Sequence, residues 1–372
     1  MRIVAAELHL VRLNLVHEFR TSSHAKDHLE HILIRLLDES GAVGWGEIAS
    51  PADPYFNAEN SASCWMVAHD YLIPALLGVE WGHPSELMAL LKQVRGNYFA
   101  KAGVDIAAWD LWSRINESSL SVALGGFRHE VTAGVSLGIE PTIDELLVQV
   151  EKQVGMGYQR VKLKIAPGWD IEPVRAVRDA YPTLNIHVDA NAAYTEEPEH
   201  LAALRGFDDF GLAMIEQPFP ARDLLAHSRL RKSIETPVCL DESIEQLADL
   251  ELALSLDAIQ VLNIKVSRMG GLTPALAAHD RAREAGLPVW CGGMHEFGIG
   301  RAANLALSSL AGFVLPSDVS GSEKYYARDI LTTPIVAVDG IVKVPSGLGL
   351  GFTVDAEFVA KNRQKYAELS VQ

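Results

Sequence analysis

Residues 160–191 read RVKLKIAPGWDIEPVRAVRDAYPTLNIHVDAN. An apolar run carrying two lysines, Arg160–Ile165, is followed by an amphipathic segment and then by a second apolar run, Asn185–Asp189, that ends in an acid. Strand-length apolar runs alternating with amphipathic stretches of helical length are the pattern of βαβ units in a parallel sheet. The pattern extends both ways, with further strands predicted at Thr132–Leu137, Ala213–Glu216, Val238–Asp241, Ala258–Ile264, Pro288–Gly292 and Phe313–Leu315. Eight parallel strands with crossover helices point to a closed α/β barrel of the (β/α)8 type, a modified TIM barrel, which takes roughly 250 residues.

The chain has 372 residues, so the barrel leaves room for a second domain. Residues 126–324 are assigned to the barrel and residues 1–125 to an α+β cap. The cap opens with a strand at Met1–Val11 and a hairpin of Ile32–Leu37 and Val43–Glu47, followed by helices around 58–77, 84–94 and 100–115. In the last of these, Ala100, Val104, Ala107, Ala108, Leu111 and Trp112 form an apolar face. The tail, 325–372, carries a hairpin about Asp339-Gly340 and is expected to complete the cap.

Lys and Arg number 32 against 48 Asp and Glu, a formal charge of −16 that repels phosphate backbones and argues against a nucleic-acid partner. Three scattered cysteines imply no disulfide framework. The N-terminus is broken by Glu7, Arg12 and Glu18, and no run reaches the roughly 20 apolar residues of a membrane span. A cytoplasmic protein without membrane association is expected.

The charges at the strand ends carry the chemistry. Lys164, Asp189, Glu216, Asp241 and Lys265 recur at intervals of 25, 27, 25 and 24 residues, one βα unit each. They therefore lie at one height, at the C-terminal mouth where barrel active sites are built. Three carboxylates meeting there repel by about 4 kcal/mol per pair at 4 Å and an effective dielectric near 20. Unless they protonate, a cation must neutralise them, and oxygen-only ligation suits Mg2+, with Mn2+ as a substitute. The two lysines flank the trio and can act from opposite faces of a bound substrate. Lys162 and Lys164 are two apart and share a face, so each ammonium disfavours charge on the other, and a neutral lysine can be a general base. Any one of the five could instead be half of an ordinary ion pair; the spacing of all five favours function.

The runs KLKI, DANAAY, MIEQP, CLDES, NIKVSRMGG and WCGGMHEFGIGRAANLALSSL resemble the enolase superfamily, in its muconate-lactonizing subgroup. Within it, the chain is most similar to the branch of o-succinylbenzoate synthases and N-succinylamino acid racemases. The resemblance spans essentially the whole chain. It implies metal ligation by Asp189, Glu216 and Asp241. It makes Lys164 the base that removes a proton α to a carboxylate, giving an enediolate, and Lys265 the opposing acid/base or steadying cation, with Lys162 adding positive charge. Asn191 and Glu242 would orient the ligands, and Arg268 would tune Lys265. Substrate contacts would come from Phe19-Arg20-Thr21-Ser22 on a flexible loop, Tyr55 on a second cap loop, Ser136, and Gly292, Gly293 and Met294, whose backbone N–H groups could approach a succinyl carboxylate. The glycines would equally serve a tight βα turn, and Asn191 and Glu242 ordinary hydrogen bonding.

Mandelate racemases use a His–Asp pair on the sixth and seventh strands, whereas the sixth strand here carries Lys265, so His295 is not expected to be a base. Leu315-Pro316-Ser317-Asp318 lacks the Asp-x-Asp of dipeptide epimerases. Gly347-Leu-Gly-Leu-Gly follows a hairpin and is no nucleotide fingerprint. The resemblance implies a lyase, an o-succinylbenzoate synthase of menaquinone biosynthesis acting on a small-molecule carboxylate. N-Succinylamino acid racemization is the alternative or second activity, and muconate cycloisomerization is less favoured. Assembly into a homo-oligomer is also implied. A catalytically silent metal-binding scaffold is the non-enzymatic alternative, and it has no need of two lysines.

Overall fold

The computed structural model describes residues 1–21 and 25–371. The chain opens with three antiparallel strands, β1 (Ile3–Arg20), β2 (Ala25–Asp38) and β3 (Val43–Ile48). Their two faces bury different things, as a period of two dictates. Leu8, Ile32, Ile34 and Leu36 pack into the cap core with the helices that follow, while Val11, Leu13, Leu29 and Leu33 belong to the core of the barrel. The sheet therefore lies between cap helices and barrel.

The long cap helix, Tyr98–Ile115, is buried on nearly every side rather than along the one face its sequence suggests. It lies directly on β3. A Cβ at Gly46 would stand 1.9 Å from the Gly103 carbonyl oxygen, so only glycine allows this approach. Its other side meets the barrel, where its polar residues find partners. Asp105 accepts from the backbone N–H (2.8 Å) and hydroxyl (2.7 Å) of Thr273, at the start of the barrel helix Leu272–Glu284. Asp110 accepts from Leu350 N (2.7 Å) and Trp45 N (2.8 Å). From β3, Glu47 accepts from Phe297 N and Gly300 N, both at 2.7 Å, at the start of helix Gly298–Ser308. Carboxylates at helix N-termini satisfy orphan N–H groups and complement the helix dipole.

In the barrel, β4 (Glu130–Thr132) is followed by seven parallel strands. These are β5 (Gly134–Leu137), β6 (Arg160–Lys164), β7 (Asn185–Asp189), β8 (Met214–Glu216), β9 (Val238–Leu240), β10 (Val261–Ile264) and β11 (Val289–Cys291). Crossover helices join them, several capped by side chains such as Thr142 on Glu145 N and Asp223 on Ala226 N. The expected eighth strand is not a strand. Phe313 bridges Val289, Ser317 bridges Ala133, and Asp318 N donates to Cys291 O at 2.7 Å, so residues 313–318 close the ring by isolated contacts. Pro316 in this segment has no N–H to give to a ladder.

The tail divides. A hairpin of β12 (Ala337–Val338) and β13 (Ile341–Lys343) turns at Asp339 and Gly340, both at positive φ (49° and 70°). It pairs with β4 in a small antiparallel sheet and not with the cap, contrary to expectation. The cap sheet gains only the last strand, β14 (Arg363–Ser370), antiparallel to β1. Among the described residues no helix is long and apolar enough to cross a membrane.

Burial raises Asp105 to about 7. A carboxyl raised above its unfolded value near 4 stabilises the fold most at low pH, and that contribution is lost as pH rises through about 7. Asp105→Asn should therefore remove a fall in unfolding free energy of up to about 1.4 kcal/mol per pH unit between roughly pH 4 and 7. Paired denaturant titrations of wild type and variant across that range measure it, and parallel pH profiles would refute it.

Candidate active site

Strand register assembles the site. Lys164 pairs with Asp189 across β6 and β7, and Asp189 with Glu216 across β7 and β8. Asp241 follows β9 and Lys265 follows β10, so the five charges meet at one mouth as their spacing predicted. The three carboxylates are 0, 0 and 1 % exposed. The backbone beyond the strand ends is strained: Asn191, Ala192 and Gln217 hold φ of 43°, 61° and 41°. Such residues cluster where a site over-determines the chain.

Each carboxylate has one oxygen on a scaffold donor and the other on an amine. Asp189 accepts from Asn191 N at 3.0 Å and from Lys164 Nζ at 2.6 Å. Glu216 accepts from Asn263 Nδ2 at 2.6 Å and from Lys162 Nζ at 3.1 Å. Asp241 accepts from Arg268 and, at 2.7 Å, from Lys265 Nζ. Burial opposes the charge on all three. In Asp189 it is outweighed by Lys164 and Lys162, which hold the carboxyl well below its usual range. In Asp241 it is outweighed by Lys265 and Arg268. In Glu216, burial and the repulsion of Asp189 prevail over Lys162, pushing it up to about 8.

Among the described residues no three Asp, Glu, His or Cys side chains stand as a ready-made metal cage. The donor set nevertheless fits a hard divalent cation, because three oxygens now face lysine tips, which are flexible counter-charges a cation can replace. The other three oxygens are fixed by donors that have no need to move.

Above the trio lies a cavity of about 320 Å³ between barrel and cap. Lys162, Lys164, Lys265, Asn191, Glu242 and Ser136 line it from the barrel, with Gly293 and Met294; Phe19 and Tyr55 line it from the cap. Asn191 does orient its neighbours: its Oδ1 accepts from Lys164 at 2.6 Å and its Nδ2 donates to Glu242 at 2.8 Å. Among the described residues Glu242 makes no hydrogen bond to the trio, and burial with repulsion from Asp241 and Asp189 pushes it up to about 8. Arg268 does not line the cavity; it shares Asp241 with Lys265, and its charge joins burial in opposing the rise that Asp241 gives the Lys265 amine. Phe19 and Arg20 sit in β1 at a hairpin tip rather than in a loop, while Ser22 lies outside the described residues.

Two expected substrate contacts change. The Gly292 N–H donates to Ile264 O at 3.0 Å and Gly292 does not line the cavity, while the Met294 N–H donates to Glu296 at 2.8 Å. Neither N–H is available to a substrate. A Cβ at Gly292 would stand 2.2 Å from Asn263 Oδ1, so glycine here makes room for the amide that holds Glu216.

The structure adds residues that sequence reasoning missed. Asp318, from the ring-closing segment, pairs with Arg160 (2.7 Å) and Lys162 (3.1 Å) and accepts from Ser136 Oγ at 2.9 Å. His187 Nε2 lies 2.9 Å from Glu216, and burial with the nearby Lys162 and Arg160 keeps the ring neutral. Both His187 and Asn263 stand two residues before a charged strand end, so a period of two would have pointed them inward.

Two family models match the chain. The N-terminal domain of mandelate racemase / muconate lactonizing enzyme covers residues 5–125, and an enolase C-terminal domain-like model covers 145–358. The chain belongs to the mandelate racemase / muconate lactonizing enzyme family. This is an enzyme family of the enolase superfamily, whose members are generally metal-dependent. An o-succinylbenzoate synthase of Geobacillus kaustophilus is 41% identical, over 95% of this chain and 94% of its own. An N-succinylamino acid racemase of Amycolatopsis sp is 44% identical, over 94% and 95%. A solved enolase-superfamily member from Listeria innocua superposes with a TM-score of 0.95 at 36% identity, covering 100% of this chain and 99% of its own.

Within this family site, Gly292→Ala should cost about 1–3 kcal/mol through overpacking on Asn263. Adding Asn263→Ala should recover part of the loss, a coupling that a double-mutant denaturation cycle reads directly. Strictly additive effects would refute the contact.

Proposed function

We propose that the protein is an o-succinylbenzoate synthase, removing a proton α to a carboxylate and then a β-hydroxyl as water, with N-succinylamino acid racemization as a second activity. The observation that carries the reading is the placement of Lys164 and Lys265 on the cavity wall, each on an outer member of the carboxylate trio. Relatives of both names at 41% and 44% identity support it.

Asp189, Glu216 and Asp241 would hold Mg2+, or Mn2+ in its place. When bound, that ion supplies positive charge against the negative charge developing on the substrate carboxylate as the α-proton leaves, the established pattern of enolase-superfamily sites. Lys164 Nζ, released from Asp189, takes the proton from carbon. Lys162 is tied to Asp189, Glu216 and Asp318, which outweigh burial and keep it cationic, so it contributes charge and not a base. In the dehydration, the C–O bond to the β-hydroxyl then breaks, and the hydroxyl leaves as water with the proton that Lys164 took from carbon. In the racemization, Lys265 delivers a proton to the opposite face. The cap excludes water from these steps, with Phe19 packed edge-on against His295 at 4.3 Å. The dehydration would serve menaquinone biosynthesis.

With Mg2+ in deuterium oxide, the protein should exchange the α-hydrogen of an N-succinylamino acid and aromatize the cyclic β-hydroxy acid precursor of o-succinylbenzoate. Lys164→Ala should slow aromatization by about 10²–10⁴-fold, and chelation should abolish it. Wild-type protein that does neither reaction is a silent scaffold, and the proposal fails.

A further inference from the structure

Four lysines line the cavity: Lys26, Lys162, Lys164 and Lys265. The last three are matched by carboxylates within 3.3 Å. Lys26 is different. Among the described residues it forms no ion pair, and its Nζ lies over the Phe19 ring at 5.7 Å. It faces Phe19 in register across the β1–β2 hairpin, so it is carried by the cap, while the other three belong to the barrel. The acids that act on it, Glu296 and Asp53, are engaged elsewhere: Glu296 with Met294 N at 2.8 Å, Asp53 with Tyr55 N at 3.3 Å. Burial, then Lys164 and Lys265, pull the Lys26 amine down to about 8, as befits a cation without its counter-ion.

A second group, on the barrel side of the same corner, has an unsatisfied nitrogen. His295 lines the cavity, and its Nδ1 is buried with no hydrogen-bond partner among the described residues. Burial and the surrounding Lys26, Lys324 and Lys164 keep the ring neutral, so it carries one N–H. The N–H groups of Gly292 and Met294 are already committed, so an anion entering this corner would meet Lys26 and His295.

We infer that Lys26, with His295 beside it, receives the second carboxylate of a dicarboxylate substrate, the one remote from the reacting carbon. This rests on the reading that a first carboxylate is held at the trio, and it makes Lys26 a specificity-determining residue that selects succinyl over uncharged acyl chains. A charge-assisted hydrogen bond in a buried pocket is strong because the unmatched ammonium is costly without it.

The test is calorimetric binding to the full-length protein with Mg2+. Its two ligands are N-succinylglycine and the succinamoyl analogue, in which an uncharged amide replaces the remote carboxylate. Wild type should bind the dicarboxylate about ten- to a hundredfold more tightly. Lys26→Met, with Lys26→Gln as a second variant should the first not fold, should bring the ratio within about threefold, and Lys26→Arg should keep most of it. A wild type without preference, a preference that survives Lys26→Met, or an equal loss of both affinities would each overturn the inference. If the preference follows Lys26 while neither reaction above is catalysed, the proposed function falls and this one stands.

Discussion

Buried charge is the constraint from which the rest of the molecule follows. Asp189, Glu216 and Asp241 sit close together with almost no contact with water, and Glu242 stands half-buried beside them. Isolated carboxylates in that position would cost several kcal/mol each. Every one of the trio is therefore held at both oxygens, and those contacts fix the positions of Lys162, Lys164, Lys265 and Arg268. The same constraint explains why Glu216, with two acidic neighbours, is pushed up to about 8 while Asp189 is held low. The lysine charge is thus shared unevenly over the three carboxylates. Oxygen donors arranged this way suit a hard divalent cation in place of the lysine tips.

Keeping water out requires the cap, and the cap must be fixed to the barrel. It is fixed by the same chemistry in a quieter form. Glu47 and Asp105, both buried, reach across to the starts of two barrel helices, while Asp110 takes a backbone N–H from the tail. These are polar contacts with specific geometry, so they set the cap's orientation as well as its attachment. The two-faced β1–β2 sheet adds apolar area on the barrel side through Val11, Leu13, Leu29 and Leu33. Phe19 and Lys26, at the far end of that sheet, are placed over the barrel mouth as a consequence.

Much of this was legible in the sequence, for a physical reason. Parallel barrel strands in one register repeat their ends at the length of a βα unit, so the spacing of Lys164, Asp189, Glu216, Asp241 and Lys265 alone puts them at one height. What was not legible depended on partners remote in sequence. Residues 313–315 look like a strand, but Pro316 lets them make only isolated bridges. The hairpin at Asp339-Gly340 carries a turn signal that fixes its own fold and says nothing of where it docks, which is on β4. The helix at 98–115 shows apolar periodicity, yet its charged residues are buried too, because their partners are backbone groups 168 and 240 residues away. Gly292 read as backbone exposed to substrate; its use is to leave room for Asn263.

The division between barrel and cap bears on how one site could serve two reactions. Dehydration and racemization start with the same removal of a proton from carbon, so the residues that perform it cannot separate the two. Those residues also hold one another: Lys164 touches Asp189 and Asn191, Lys162 touches three carboxylates, and Lys265 shares Asp241 with Arg268. A change in any of them propagates to the rest. The cap wall contributes Phe19, Lys26 and Tyr55, and among the described residues Lys26 forms no ion pair with the trio. Discrimination between substrates can therefore be altered on the cap without removing any group that moves the proton, which is the arrangement a single chain needs if one set of lysines is to work on more than one carbon acid.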